Sequence, residues 1–163
     1  MGYLNIFKWL LCASFFTDLI DGVLSRKLKV TSVFGSRLDS MGDDLSFLAG
    51  LIGAFVFKLD FIIANLITIS IVFGLFLFQT IFALIRYGRL TSFHVYFAKL
   101  AALFQGTFLI LLFLLPEPLY FLFYAAVITT AMGLIEEIII IYYLPVWEAN
   151  VKGLYWVLKN RKK

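Results

Sequence analysis

Five apolar stretches dominate this chain: Leu4 to Leu24, Leu45 to Phe57, Phe61 to Ile85, Phe93 to Leu115 and Leu119 to Leu144. Most reach the ~20 residues that a helix needs to cross a bilayer, where each backbone N–H and C=O must find its partner within its own segment. The second stretch reaches that length once it is extended back to Gly35, which takes Asp39, Asp43 and Asp44 into its helix. Hydrophobic residues make up 63% of the sequence, well above the roughly 45–50% of soluble domains. The chain therefore reads as an all-α membrane protein, a bundle of five transmembrane helices forming a single domain over residues 1–163. The first stretch is not expected to be a cleavable leader, because Asp18 and Asp21 interrupt it and no small-residue cleavage site precedes them.

Charge sets the topology. When the five spans alternate across the membrane, every Lys and Arg except Lys8 and Lys58 falls on one side, which the positive-inside rule makes cytoplasmic. The same distribution excludes nucleic acid as the partner of the +4 net charge, since the bases flank apolar spans and form no soluble patch. The outer connections are minimal, Lys58 to Asp60 and Pro116-Glu117-Pro118, and leave no room for a further domain. Residues 145–163 mix Trp147, Tyr155 and Trp156 with Lys152, Lys159 and a basic end. That composition suits a cytoplasmic interfacial tail on an anionic leaflet, and equally a frayed basic terminus. Cys12 is the sole cysteine, so no intramolecular disulfide forms.

Against this background, four carboxylates stand out. Asp18 and Asp21 lie three apart at the end of the first span, and Asp39 and Asp43 lie four apart at the start of the second, so each pair projects from nearly one helix face. Acids at the centre of a spanning helix cost about 2.5–3.5 kcal/mol each, and less near its ends. Divalent cations offset that cost, and hard carboxylate oxygens suit Mg2+ or Mn2+ rather than zinc. Two ions about 3.5–4 Å apart are the usual arrangement for displacement at phosphorus. Gly22 and Gly35 flank the acids, leaving the backbone open to a phosphate, and Arg26 lies one turn beyond Gly22 with a fork suited to binding it. Taken singly these are helix-packing glycines and a topology-setting arginine; their joint spacing with four acids favours a site.

The run Asp18-Leu-Ile-Asp21-Gly22-Val-Leu-Ser25-Arg26, eight residues, then Gly35-Ser-Arg-Leu-Asp39-Ser-Met-Gly-Asp43 resembles the signature of the CDP-alcohol phosphatidyltransferases. A looser likeness continues through Arg86-Tyr-Gly-Arg-Leu-Thr-Ser-Phe-His94, with Lys99 and Gln105 following. The resemblance implies that Asp18, Asp21, Asp39 and Asp43 hold two Mg2+ or Mn2+ ions. It further implies that Asp43 takes the proton of the acceptor hydroxyl, and that Gly22, Ser25, Arg26 and Gly35 lie along the CDP moiety. Ser25 stands where the family usually has alanine. The implied reaction is attack of a small polar alcohol on CDP-diacylglycerol with release of CMP, at the cytoplasmic face of a membrane, a bacterial inner membrane first.

Family members usually have six spans, and this chain begins at what corresponds to their second. Either a start further upstream or a neighbouring protomer or polypeptide is expected to cover the exposed face. Arg37, Arg86, Arg89, His94 and Lys99 are the acceptor-binding candidates. A cluster of bases favours an acceptor carrying its own phosphate; together with the breadth of the family it resembles, this puts glycerol 3-phosphate first, with inositol phosphate and serine behind it. Glu136 and Glu137, inside the fifth span, are expected to pair with a base such as Arg86 rather than to act in catalysis. Ala49, Gly50, Gly53 and Ala54 make small-xxx-small spacings for close helix contact, within one protomer or across a homodimer. Two non-catalytic alternatives stand beside the enzyme. A divalent-cation carrier should continue its acids through the membrane, which the apolar third and fourth spans do not. A truncated relative that binds lipid without turnover shares the whole signature.

Overall fold

In a computed structural model the chain is a set of helices joined by short connections. The structure describes residues 2–28, 33–89, 91, 93, 95–148, 151 and 153–161, and for 2, 18, 19, 21–28, 33–44, 160 and 161 it describes the backbone alone. Every regular element among the described residues is helical: α1 (Gly2–Leu28), α2 (Val33–Phe57), α3 (Leu59–Ala64), α4 (Leu66–Tyr87), α5 (Tyr96–Leu114), α6 (Tyr120–Tyr143) and α7 (Leu154–Arg161). The first, second, fourth and fifth apolar stretches correspond to α1, α2, α5 and α6. Among the described residues, α4, α5 and α6 are each long and apolar enough to cross a membrane, and Leu45–Phe57 is a shorter apolar segment of α2. Large apolar side chains such as Ile67, Ile71, Phe73 and Ile85 point outward along α4, as expected of a helix solvated by lipid tails.

The third stretch departs from a single span. Phe61 and Ile62 are buried in the short α3, and α4 starts only after Asn65, whose side chain favours helix ends over interiors. The chain also divides there, into one compact unit of Met1–Ala64 with Gly106–Pro118 and a second of Asn65–Gln105 with Leu119–Lys163.

Apolar burial alone gives little reason for helices to associate when lipid surrounds them, so close packing and interhelical hydrogen bonds carry more of the cohesion. In the first unit α1 packs on α2, and α2 on α3, around buried Leu11, Ala54, Phe61, Phe108, Leu112 and Phe113. The Phe7 ring meets Phe113 edge-on with centroids 5.0 Å apart and Phe57 at 5.4 Å. Gly50 and Gly53 make room for these groups: a methyl at Gly50 would lie 3.0 Å from Leu109 Cδ1, and one at Gly53 would collide with Phe7.

In the second unit α4 packs on α6, and α6 on α7. Its core gathers Ala83, Phe93, Val95, Ile140, Ile141, Val151 and Val157. Gly88 ends α4 in the left-handed conformation, φ 64°, and its N–H donates to the Leu84 carbonyl at 2.8 Å, a cap that glycine adopts without the penalty other residues incur. The last helical carbonyls of α6 accept from the Leu144 N–H at 2.9 Å, and from the Tyr87 hydroxyl, which donates to Ile141 O at 3.2 Å and Leu144 O at 2.9 Å. Pro145 follows directly and prevents the helix from continuing.

Candidate active site

The acid signature lies on α1 and α2, whose packing is seen further along both helices. Three contacts set the register of this seam: Phe7 against Phe57, Phe7 against the position of Gly53, and Ser14 Oγ to Ser46 Oγ at 2.6 Å. Moving from Phe7 to Ser14 along α1 corresponds to moving from Gly53 back to Ser46 along α2, so the helices run antiparallel. Asp18 and Asp21 follow Ser14 by four and seven residues on α1, and Asp43 and Asp39 precede Ser46 by three and seven on α2. On each helix those spacings share one stripe with the serine. The backbone of both helices continues through these positions. The side chains of Asp18, Asp21, Gly22, Ser25, Arg26, Gly35, Arg37, Asp39 and Asp43 lie outside the described residues.

An apolar groove opens beside this seam. It has a volume of about 490 Å³ and is lined on α1 by Trp9, Cys12, Ala13, Phe15 and Phe16, and on α5 by Ile110 and Leu114. Its upper end on α1, Phe16, lies two residues before Asp18.

The acceptor-binding candidates fall in the second unit, apart from Arg37. Arg86 lies in the last turn of α4, where a cation complements the helix dipole. The Arg89 guanidinium stands over the Trp147 ring at 5.8 Å, and Lys99 Nζ over Tyr96 at 5.8 Å. His94 lies outside the described residues. Gln105 is tied to α6, its Nε2 donating to Thr130 Oγ1 at 2.7 Å.

Glu136 and Glu137 are partnered differently from the sequence expectation. Glu137 Oε2 accepts from the buried Gln79 Nε2 at 2.8 Å and from Thr91 Oγ1 at 3.3 Å, and Gln79 Nε2 also bonds Thr91 Oγ1 at 2.9 Å. Glu136 Oε1 accepts the backbone N–H of Leu154 at 2.8 Å. An amide, a hydroxyl and a backbone N–H thus take the place expected for Arg86, and they satisfy the carboxylates within the bundle as intramembrane acids require. Sequence spacing gave no hint of these partners, because Gln79 is 58 residues from Glu137 and Leu154 lies in the tail.

No group of three or more His, Cys, Asp or Glu side chains able to hold a metal ion occurs among the described residues. The signature quartet fits a divalent cation by its donor chemistry, four carboxylates on two packed antiparallel helices.

A family model described as CDP-alcohol phosphatidyltransferase matches residues 2–140, most of the chain. Members of that family are membrane transferases that pass a phosphatidyl group from a CDP-linked substrate to a polar alcohol in phospholipid synthesis, generally with divalent cations. Comparison with the curated proteins and with the solved structures gave no match.

Proposed function

The chain belongs to the CDP-alcohol phosphatidyltransferase family, and from that premise we propose that it transfers the phosphatidyl group of CDP-diacylglycerol to a small polar alcohol, glycerol 3-phosphate first, with CMP as the leaving group. The observation that carries this reading is the register of α1 against α2. Continued from Ser14 and Ser46, an antiparallel pair of regular helices would bring Asp21 level with Asp39, and Asp18 level with the turn that holds Asp43. Four carboxylates on one antiparallel seam are the donor set that the chemistry calls for.

In this reading Asp18, Asp21, Asp39 and Asp43 hold two Mg2+ or Mn2+ ions. When bound, these ions neutralise charge on the pyrophosphate as it develops toward CMP. Asp43 accepts the proton of the acceptor hydroxyl. The hydroxyl oxygen forms a bond to the phosphorus bearing the diacylglycerol, and the bond from that phosphorus to the bridging pyrophosphate oxygen breaks, its electron pair leaving with CMP. Arg26 binds a phosphate of the CDP moiety through its fork, and Gly22 and Gly35 admit the nucleotide close to the helix backbones. The apolar groove of Trp9, Cys12 and Phe16 suits an acyl chain entering from the lipid. Arg37, Arg86, Arg89, His94 and Lys99 supply the bases for a phosphorylated acceptor. The site faces the cytoplasm, in a bacterial inner membrane by this reading.

The test is CMP release from CDP-diacylglycerol in lipid nanodiscs with a panel of acceptors. Release that requires Mg2+ or Mn2+, stops on chelation and is lost in Asp43→Asn is the expected result. Release that persists in chelator, or at wild-type rate in Asp43→Asn, overturns the mechanism. A wild-type chain that releases CMP with no acceptor of the panel overturns the activity.

A further inference from the structure

Two adjacent glutamates on α6 hold two different segments of the second unit. Glu137 secures the connection between α4 and α5 through Thr91, which it bonds directly and also through Gln79. Glu136 secures the C-terminal segment through the N–H of Leu154, at the first residue of α7. The two segments also meet each other. Phe93 and Val95 of the connection and Val151 and Val157 of the C-terminal segment are buried in one apolar cluster with Ile140 and Ile141. Arg89 of the connection stands over Trp147 of the C-terminal segment.

Gly153 closes the arrangement. Its φ of 153° is one that residues with side chains rarely adopt, and a methyl there would lie 2.9 Å from Glu136 Oε1. Glycine at that position lets the backbone turn into α7 and leaves the carboxylate free to accept the next N–H. A merely frayed tail has no need for a glycine of this conformation, a buried Val151 or a bond to an intramembrane glutamate.

We propose that the C-terminal segment is a positioning strap for the basic connection between α4 and α5, with Glu136 and Glu137 as positioning residues that hold strap and connection to the same turn of α6. The inference rests on the proposed transferase reading for its kinetic consequence, because Arg86, Arg89 and Lys99 are there assigned to the acceptor. Its physical content is independent of that reading. Loosening the strap should loosen the connection, although no atom of the connection has been changed.

Gly153→Ala, Glu136→Leu and Glu136→Gln test it on the full chain in nanodiscs, with two readouts. In hydrogen exchange, Gly153→Ala and Glu136→Leu should speed exchange of the Phe93 and Val95 amides about tenfold, the size expected from losing one charge-assisted hydrogen bond. Glu136→Gln keeps a carbonyl acceptor for the Leu154 N–H and should stay near wild type. In steady-state kinetics, the first two variants should raise the acceptor KM about tenfold while kcat and the KM for CDP-diacylglycerol hold within about twofold. Unchanged exchange at Phe93 and Val95 in both disruptive variants overturns the strap. Faster exchange with equal loss on both substrates overturns the positioning role and leaves only general destabilisation. If the wild type releases no CMP, the transferase reading fails, and the exchange data still decide the coupling.

Discussion

A methyl group added at Gly53 tests the α1–α2 seam most sharply, because its effect runs against the ordinary preference of helices. Replacing an interior helical glycine by alanine contributes up to about 1 kcal/mol through backbone entropy. At Gly74 of α4 a Cβ meets nothing within 4 Å, so Gly74→Ala should realise that gain and raise the melting temperature by about 2–4 °C, the shift per kcal/mol for a chain of this size. At Gly53 the same atom lands on the Phe7 ring and comes within 3.2 Å of Phe113 Cζ. Phe7 has little freedom to retreat, since its ring is held edge-on by Phe113 and tilted against Phe57, pairs that contribute about 0.5–1.5 kcal/mol each. Overpacking of this kind costs about 1–3 kcal/mol. Set against the propensity gain, Gly53→Ala should destabilise by about 0–2 kcal/mol and lower the melting temperature by up to roughly 8 °C. Helix content followed by circular dichroism during heating in detergent measures both variants. The pair Phe7→Leu with Gly53→Ala should recover most of the loss, as the flexible leucine yields the space. Gly53→Ala as stable as Gly74→Ala would refute the packing described here, and with it the register that levels the two acid pairs.

Two further perturbations follow from single hydrogen bonds. Ser14→Ala and Ser46→Ala each break the 2.6 Å bond across the seam. A double-mutant cycle should return a coupling of about 0.6 kcal/mol, the average for such bonds between membrane helices; zero coupling in thermal unfolding would remove the bond from the seam. Gly88→Ala forces a side chain into the left-handed cap at φ 64°, a cost of about 1–2 kcal/mol. It should lower the melting temperature by about 2–8 °C, whereas an unchanged midpoint would show that α4 ends in another way.

The parts of this fold visible in the sequence are those decided by the solvent. An apolar run of about twenty residues has to become a helix in lipid, and α1, α2, α5 and α6 follow their runs closely. The break at Asn65 was hidden because one polar residue in the run Phe61 to Ile85 changes its mean hydropathy very little, yet α3 ends just before it and α4 begins just after it. The small residues of α2 were readable as a close-contact stripe. Which surface would use them was not, and Leu109, Phe7 and Phe113 of the same chain occupy the space at Gly50 and Gly53. The tail was balanced between two readings by composition, and Val151 and Val157 within it are buried. The acid signature was legible as a spacing, because the period of the helix is known in advance.

The glutamates of α6 show why an intramembrane acid is informative only together with its donors. On sequence alone Glu136 and Glu137 share the warrant of the aspartates: carboxylates in an apolar span, too costly to retain without a purpose. In the structure Glu137 is met by an amide and a hydroxyl, and Glu136 by a backbone N–H. These donors engage the carboxylate oxygens from within the second unit. These bonds tie α6 to the connection between α4 and α5 and to the C-terminal segment. By the proposed reading the reactive carboxylates are instead the four aspartates of α1 and α2, Asp18, Asp21, Asp39 and Asp43.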